Sequence, residues 1–306
     1  MEIGAFEIED DVLNLEHPRM IVTLRPWIDV GSVGTMAFSY LDNFFDTQPF
    51  FTTHPVGKLS HPGRFYDFTR YRPTMYRVEG VRNIDVPNSS LRGTKNHMGH
   101  DYLFLRILEP HSNSELVLDS IVEVAEYYGA SMYWQIGSMY GATPHTRPLT
   151  ITGWSSEEKI QQCFEELNIH ASTYEGPTSI MSMATEKLRD KGISTSHTLV
   201  QLPPYARLEE DYRGQEQILA LLDKVYDFGF DLTEIIKKAD EQYSHLDGLV
   251  QADPAVKSMV KKLEQLYDAQ SREPNEPDVQ LPGSVDALLR DLEKNADNDD
   301  PVEPTN

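Results

Sequence analysis

Short apolar runs alternate with amphipathic segments along the first two-thirds of the chain. Four runs with the composition of buried strands are Met20–Leu24, His100–Leu108, Ser131–Gly137 and Thr198–Leu202. The segments between them carry apolar residues at helical spacing, and Ser112 with Glu115 predicts a capping box at the start of one helix. Strands that alternate with helices favour a mostly parallel sheet covered on both faces. The pattern therefore predicts an α/β fold with a three-layer α/β/α core over residues 1–230.

From Gln215 the periodicity is helical almost to Ser271, with a break at Gly229. Over residues 231–271 two segments keep their apolar residues on one face, and Asp253 with Pro254 predicts the start of the second helix. Two helices joined by a short loop predict an antiparallel hairpin, which we call the helical arm.

The last segment, residues 272–306, is rich in Pro, Asn, Asp and Glu and is predicted to be a mostly disordered acidic tail. Within it, residues 284–293 have the pattern of a short helix. Its apolar face, predicted to dock on a partner, consists of Val285, Leu288, Leu289 and Leu292.

The balance of acidic and basic residues limits the kinds of molecule that the protein is expected to bind. The 306 residues include 49 acidic and 27 basic side chains, which gives a formal net charge of −22. Such a field repels phosphate backbones and anionic lipids, so neither nucleic acid nor a membrane is expected as a partner. No apolar run approaches the ~18 residues that span a bilayer, and the acidic N-terminus is unlike a signal peptide. We therefore expect a cytoplasmic protein.

Few residues have the pattern of a nucleophile or a metal ligand. Cys163 is the single cysteine, and its place on the apolar face of a predicted helix indicates a buried structural thiol. His97, His100 and Asp101 lie close in sequence, but a strong metal site needs three or four convergent ligands, and no nearby residue completes this set. No nucleophile elbow occurs either. The sequence predicts no cofactor, no metal and no recognised enzyme class.

The loop GATPHTRP, Gly141 to Pro148, allows two interpretations. Amides after Gly141 and the guanidinium of Arg147 have the chemistry to hold an anion, and His145 has the chemistry to shuttle a proton. Alternatively, the two prolines stiffen a turn, and carbonyls or carboxylates at the sheet edge bind the basic side chains. We favour the second interpretation.

A second candidate is the turn RPWIDVGSVG, Arg25 to Gly34, which follows the first buried strand. Anions bind in α/β folds where such a turn enters a helix. The glycine spacing here lacks the dinucleotide-binding pattern, and Asp29 would repel a phosphate, so tight packing explains the glycines better. If a small molecule binds, its site lies at the carboxyl ends of the strands and contains Asp29, Gly31, Gly141, His145 and Arg147.

One local segment combines basic and aromatic residues. Its aromatic members are Phe65, Tyr66, Phe68, Tyr71 and Tyr76, and its basic members are Arg64, Arg70, Arg72 and Arg77. Such a segment has the chemistry to bind a ligand or a single strand. Arginine and tyrosine are also enriched in protein interfaces, so we favour an oligomer or sheet interface.

Taken in order, six motifs resemble the proteasome assembly chaperone family of the PAC2 type, over about residues 20–230. They are RPWIDVGSVGTMAFSYL from Arg25, Glu109–Pro110 before a helix, Gln135–Gly137 before Pro144–Pro148, Glu175–Pro177, Lys191–Ile193 and Leu202–Tyr205. The chain looks most similar to the bacterial branch of that family, which carries an extra helical region and an acidic tail.

The resemblance implies a core similar to nucleoside phosphorylases and hydrolases, without an established catalytic activity. It also implies partners that are proteins, since relatives bind proteasome α-subunits or one another. Some of them dock through a C-terminal hydrophobic–Tyr–any motif. This chain ends in Glu303–Asn306 without that motif, so docking into a proteasome is not expected.

Two functional hypotheses follow. The first is a non-enzymatic interaction or assembly protein that forms a homo-oligomer. The alternative is a protein that binds or hydrolyses a small molecule, such as a nucleoside or an anion, in a phosphorylase-like cleft.

Overall fold

The structure is a computed structural model and describes residues 1–9 and 13–270. Its strands are β1 (Glu2–Ile3), β2 (Phe6–Ile8), β3 (Arg19–Arg25), β4 (Phe51–Leu59), β5 (Thr74–Val78), β6 (Val81–Asp85), β7 (Ser90–Asn96), β8 (Tyr102–Leu108), β9 (Met132–Tyr140), β10 (Ile151–Ser155) and β11 (Ser194–Leu202). Its helices are α1 (Val33–Thr47), α2 (Ser114–Tyr127), α3 (Glu158–Glu166), α4 (Ile180–Asp190), α5 (Tyr212–Tyr226), α6 (Thr233–Ala252) and α7 (Pro254–Gln270).

Nine of the described strands form one sheet, in the order β1-β2-β4-β7-β8-β3-β9-β11-β10. The centre of the sheet, β8-β3-β9-β11, is parallel, and these four strands are the four apolar runs that the sequence singles out. Antiparallel strands extend the sheet on both sides of this centre. Strands β5 and β6 form a separate two-stranded hairpin.

Helices cover both faces of the sheet and create two cores. On one face, α2 and α4 bury Val117, Ile121 and Leu188. On the other, α1, α3 and α5 bury side chains such as Phe38, Phe164 and Ile218. The predicted three-layer α/β/α class is therefore confirmed. In the described ranges, no helix has the length and apolar character required to cross a membrane.

Helices α6 and α7 form the predicted helical arm, and the arm lies against the core. Tyr243 and Leu246 of α6 are buried in the core on the α5 face, and Leu263 of α7 is fully buried. Asp253 caps α7 as predicted, because its Oδ1 accepts hydrogen bonds from the amides of Ala255 at 2.8 Å and Val256 at 3.3 Å.

The predicted capping box of α2 is wrong. The helix begins at Ser114, and the preceding Asn113 has a φ of 54° and caps no amide with its side chain. The hydroxyl of Ser112 instead donates to the carbonyl of Arg64 at 2.6 Å. A long-range contact with the loop after β4 thus replaces the local cap.

An aromatic layer joins α1 to the parallel centre of the sheet. The ring of Phe45 lies 5.3 Å from the rings of both Phe104 and Phe228, and Phe45 is 1% exposed. Because such a well-packed site collapses only partly when a ring is removed, truncation there leaves a cavity.

We predict that Phe45→Ala lowers the free energy of unfolding by about 3–5 kcal/mol in urea denaturation. The matched control is Phe68→Ala. It makes the same chemical change at a side chain that is 38% exposed. The control should stay within about 0.5 kcal/mol of the parent chain. Equal losses in the two variants would contradict this assignment of the core.

Candidate functional site

The carboxyl ends of β3, β9 and β11 meet at one edge of the sheet, and the loops that follow them contact each other. The amide of Ser138 donates to the carbonyl of Ile28 at 2.9 Å. The amide of Gly141 donates to the carbonyl of Leu202 at 3.0 Å. This edge is where α/β folds place ligands, and the loops that follow β3 and β9 carry all five residues of the predicted small-molecule site.

Asp29 lies at the start of α1 with its side chain 2% exposed. Its Oδ1 accepts a hydrogen bond from the amide of Thr35 at 3.1 Å, and its Oδ2 accepts one from the Thr35 hydroxyl at 2.5 Å. Burial raises the pKa of Asp29, and the hydrogen bonds from Thr35 oppose this shift. The carboxylate therefore stabilises the start of the helix with groups of its own chain.

Gly31 has a φ of 60° and lies against Asp211, whose amide donates to the Gly31 carbonyl at 2.8 Å. A Cβ on Gly31 would lie only 2.8 Å from the Cβ of Asp211, so this close approach requires glycine. The two loops that follow β3 and β11 are thereby held together.

Asp211, which the sequence analysis does not single out, is the buried N-cap of α5. Its Oδ1 accepts a hydrogen bond from the amide of Gly214 at 2.8 Å, and its Oδ2 accepts one from the Tyr243 hydroxyl at 3.1 Å. Burial raises the pKa of Asp211, and these hydrogen bonds oppose the shift. Asp is one of the residue types preferred at the N-cap, so the sequence carries a local signal for the contact between Asp211 and Gly214. No local signal indicates the contact with Tyr243 on α6.

His145 is buried between the core and α6. Its amide donates to the hydroxyl oxygen of Tyr205 at 2.8 Å, and that oxygen lies 2.5 Å from His145 Nδ1. When Tyr205 donates its own proton to Nδ1, Nε2 carries the ring proton and donates to Asp247 Oδ1 at 3.2 Å. Both ring nitrogens are thus used in contacts that join the loop to the helical arm.

Arg147 forms a two-pronged ion pair with α7. Its Nε lies 2.9 Å from Asp268 Oδ1, and its Nη2 lies 3.0 Å from Asp268 Oδ2. The neighbouring Thr146 hydroxyl donates to Glu264 at 2.7 Å. Asp268 holds Arg147 with the bidentate geometry in which a guanidinium binds a carboxylate or a phosphate.

The edge therefore contains anion-binding groups whose partners are carboxylates of the same chain. Asp247, Glu264 and Asp268 lie on the helical arm, more than one hundred residues from the loop that they contact. As arranged, the Gly141–Pro148 loop attaches the arm to the core.

The other candidate residues lie apart from this edge. Asp101 accepts hydrogen bonds from the amides of Glu16 and Asn96 and from Lys95 Nζ, and His97 contacts Thr52. Over residues 1–9 and 13–270, no group of three or more His, Cys, Asp or Glu side chains is placed to hold a metal ion. The predicted docking residues Val285, Leu288, Leu289 and Leu292 lie outside the described residues.

Two other sequence interpretations change in the structure. Cys163 is half-buried, and the buried residues of α3 are Ile160 and Phe164. The basic–aromatic segment is divided: Phe65 and Tyr66 are buried in the core, whereas Phe68 and Tyr76 are exposed with the arginines.

A family model described as the PAC2 family matches residues 23–250. The chain belongs to the PAC2 family. This result confirms the family that the six ordered motifs predicted. No curated protein sequence matches the chain.

Solved structures share the fold of this PAC2-family chain. A protein of unknown function from Corynebacterium glutamicum is 19% identical with a TM-score of 0.74, and the match covers 89% of this chain and 100% of that one. A PAC2 family protein from Streptomyces avermitilis is 24% identical with a TM-score of 0.68, over 79% and 99% of the two chains. A proteasome-assembly chaperone homologue from Mycobacterium tuberculosis is 18% identical with a TM-score of 0.66, also over 79% and 99%.

We predict that Asp211→Asn changes how stability depends on pH. Because the pKa of Asp211 is raised in the folded state, its contribution to stability is present at low pH and is lost as the pH rises through the folded pKa. The asparagine side chain does not titrate, so the free energy of unfolding of the variant should improve relative to the parent as the pH rises from about 4 to 8. Urea denaturation at a series of pH values measures this difference.

The control for that series is Asp190→Asn, since Asp190 is exposed at the end of α4. It removes one negative charge from the surface, so it separates the effect of losing a charge from the effect of losing a buried group. A pH-independent difference between Asp211→Asn and the parent would show that Asp211 is not a buried titrating group.

We predict that Arg147→Ala loosens α7 without unfolding the core. Removing the guanidinium breaks both bonds to Asp268, while buried residues such as Leu263 keep α7 in place most of the time. Amide hydrogen exchange over residues 254–270 should become faster, and exchange in the central strands should not change. Arg189→Ala, which removes an exposed arginine from α4, is the control, and unchanged exchange in α7 of Arg147→Ala would contradict the attachment.

Proposed function

We propose that this PAC2-family chain acts by binding other proteins, in an assembly role that does not require catalysis. One relative in its fold is called a proteasome-assembly chaperone homologue, and this supports a partner that is a protein. The observation that carries the proposal is the β5–β6 hairpin, because it presents apolar side chains outside the core.

Every residue of β5 is exposed, and the hairpin pairs apolar residues across its two strands. Met75 lies opposite Ile84, and Val78 lies opposite Val81. Val81 is 65% exposed and Ile84 is 59% exposed. A two-stranded hairpin alone is marginally stable in water, so a surface that covers these side chains would stabilise it.

The charges of the hairpin favour an acidic surface as its partner. Arg77 lies directly opposite Arg82, and like charges in opposite positions destabilise a strand pair. A carboxylate from a partner would relieve this repulsion. A second copy of the chain offers such carboxylates, since its formal net charge is −22. We therefore propose a homo-oligomer in which the hairpin contacts an acidic surface of another copy.

We also propose a division of the chain into a core (1–230), a helical arm (231–271) and a tail (272–306). In this proposal the tail docks on a partner through residues 284–293, and the protein is located in the cytoplasm. Deleting residues 272–306 should weaken binding to a partner and leave the stability of the core unchanged.

The alternative of a small-molecule site at the carboxyl edge has less support. His145 and Arg147 already contact Asp247 and Asp268. A ligand that bound there at one hundred times its Kd would add about 2.7 kcal/mol to stability. Incubation with nucleosides, nucleotides and phosphate should therefore leave the melting temperature unchanged, and a shift that Arg147→Ala abolishes would favour the alternative.

We predict that replacing the apolar residues of the hairpin dissociates the oligomer. The triple variant Met75→Ser, Val81→Ser and Ile84→Ser removes three exposed side chains and leaves the core intact. Light scattering should give a multiple of 34.9 kDa for the parent chain and 34.9 kDa for the variant.

The matched control replaces three exposed apolar residues on helices, Leu116→Ser, Met183→Ser and Leu249→Ser. It should keep the mass of the parent. A monomeric parent chain, or a hairpin variant with the parent's mass, would contradict the proposed self-association.

A further inference from the structure

A cavity of about 260 Å³ opens at the amino ends of the parallel strands, at the edge of the sheet away from the Gly141–Pro148 loop. Arg19 and Tyr102, the first residues of β3 and β8, line it. The first turns of α3 and the end of α5 form the remaining walls. The cavity therefore lies between the sheet and two helices, where neither the proposed protein interface nor the helical arm uses it.

Positive charge dominates the lining. Arg19, Lys159 and Lys224 face the cavity, against one carboxylate, that of Glu157. In a chain with 49 acidic and 27 basic residues, three cations around one small cavity are a local reversal of the overall charge. A cavity with such walls focuses the field and raises the local concentration of anions.

The carboxylate of Glu157 neutralises only part of this charge. Its oxygens lie 3.3 and 3.4 Å from the two terminal nitrogens of Arg19. The Nε of Arg19 is buried and makes no hydrogen bond to the described residues. The pKa of His100, on the same wall, is lowered by burial first and by the charge of Arg19 second.

The remaining walls are apolar and aromatic. Ile160 and Val225 contribute aliphatic surface, and Tyr102 and Tyr226 contribute rings. Small-molecule sites combine apolar surface with polar groups that fix orientation, and in this cavity the polar groups contribute the larger share of the surface.

We propose that this cavity binds a small organic anion, a carboxylate or phosphate group on an apolar body. Lys159 and Lys224 contact the anionic group at the mouth, with Arg19 behind them, and the apolar body packs against Ile160, Val225 and the tyrosine rings.

The chain contains its own reporter of occupancy. Cys163 is its single cysteine and lines the cavity, so a bound molecule shields the thiol from alkylation. Burial raises the pKa of Cys163, so the reaction is followed at a mildly alkaline pH. Iodoacetamide is suitable because it is neutral and does not compete for the cations.

The experiment measures the alkylation rate of the full chain at constant ionic strength, with phenyl phosphate, benzoate, inorganic phosphate or benzyl alcohol added. Phenyl phosphate or benzoate should slow the reaction in a saturable way, by about elevenfold at ten times the Kd. Inorganic phosphate and benzyl alcohol should protect much less, since each lacks one of the two recognised parts. The stronger of the two organic anions identifies the group that the site prefers.

The double variant Lys159→Gln and Lys224→Gln should lose this protection. Its matched control, Lys261→Gln and Lys262→Gln, removes two exposed lysines from α7 and should be protected like the parent. The same order should appear in melting-temperature shifts, which do not depend on the thiol.

No saturable protection by either organic anion would overturn the proposal. Equal protection by benzyl alcohol, or full protection in the Lys159→Gln and Lys224→Gln variant, would show that the cations of the cavity do not recognise the ligand.

Discussion

The arrangement of the loops at the carboxyl edge depends on the contacts of one buried carboxylate, that of Asp211. Burying a charge costs free energy unless hydrogen bonds compensate for it. Here the donors come from different segments, namely the amide of Gly214 at the start of α5 and the hydroxyl of Tyr243 on α6. The amide of Asp211 itself donates to Gly31 in the loop after β3. Asp211 thus connects the loops of the core with the helical arm.

The position of the arm determines what the edge can do. With α6 and α7 in place, the basic side chains of the Gly141–Pro148 loop bind Asp247 and Asp268 of the same chain. The basic side chains that could bind a ligand in a phosphorylase-like site therefore hold the helical arm on the core. The β5–β6 hairpin exposes apolar side chains on both of its strands, and its paired arginines would suit an acidic protein surface. These observations are why we propose protein binding rather than a small-molecule site at the carboxyl edge.

Periodicity predicted the elements that bury one continuous apolar face. The four parallel strands, α1 and the helical arm all carry that local signal. Strand β7 has the sequence SLRGTKN, whose polar residues hide its place in the sheet, because the neighbours β4 and β8 provide its pairing. The order of the motifs predicted the family, since it depends on residue identities along the chain.

Other features depend on contacts between distant residues and carry no local signal. Arg147 and Asp268 are 121 residues apart, so the loop predicts a carboxylate partner without indicating which one. The contact between Asp211 and Tyr243 and the cavity beside Cys163 likewise appear only when the helices are packed on the sheet. The net charge of the chain is negative, so composition alone gives no indication of the cationic lining of that cavity.

The central claim, that a buried contact at Asp211 holds the helical arm on the core, is tested most directly by a double-mutant cycle. The free energy of unfolding is measured for the parent chain, Asp211→Ala, Tyr243→Phe and the double variant. Because a hydrogen bond to a charged group is worth about 1.5–3 kcal/mol, we expect a coupling energy of at least about 1 kcal/mol. Effects that add to within about 0.5 kcal/mol would contradict the account.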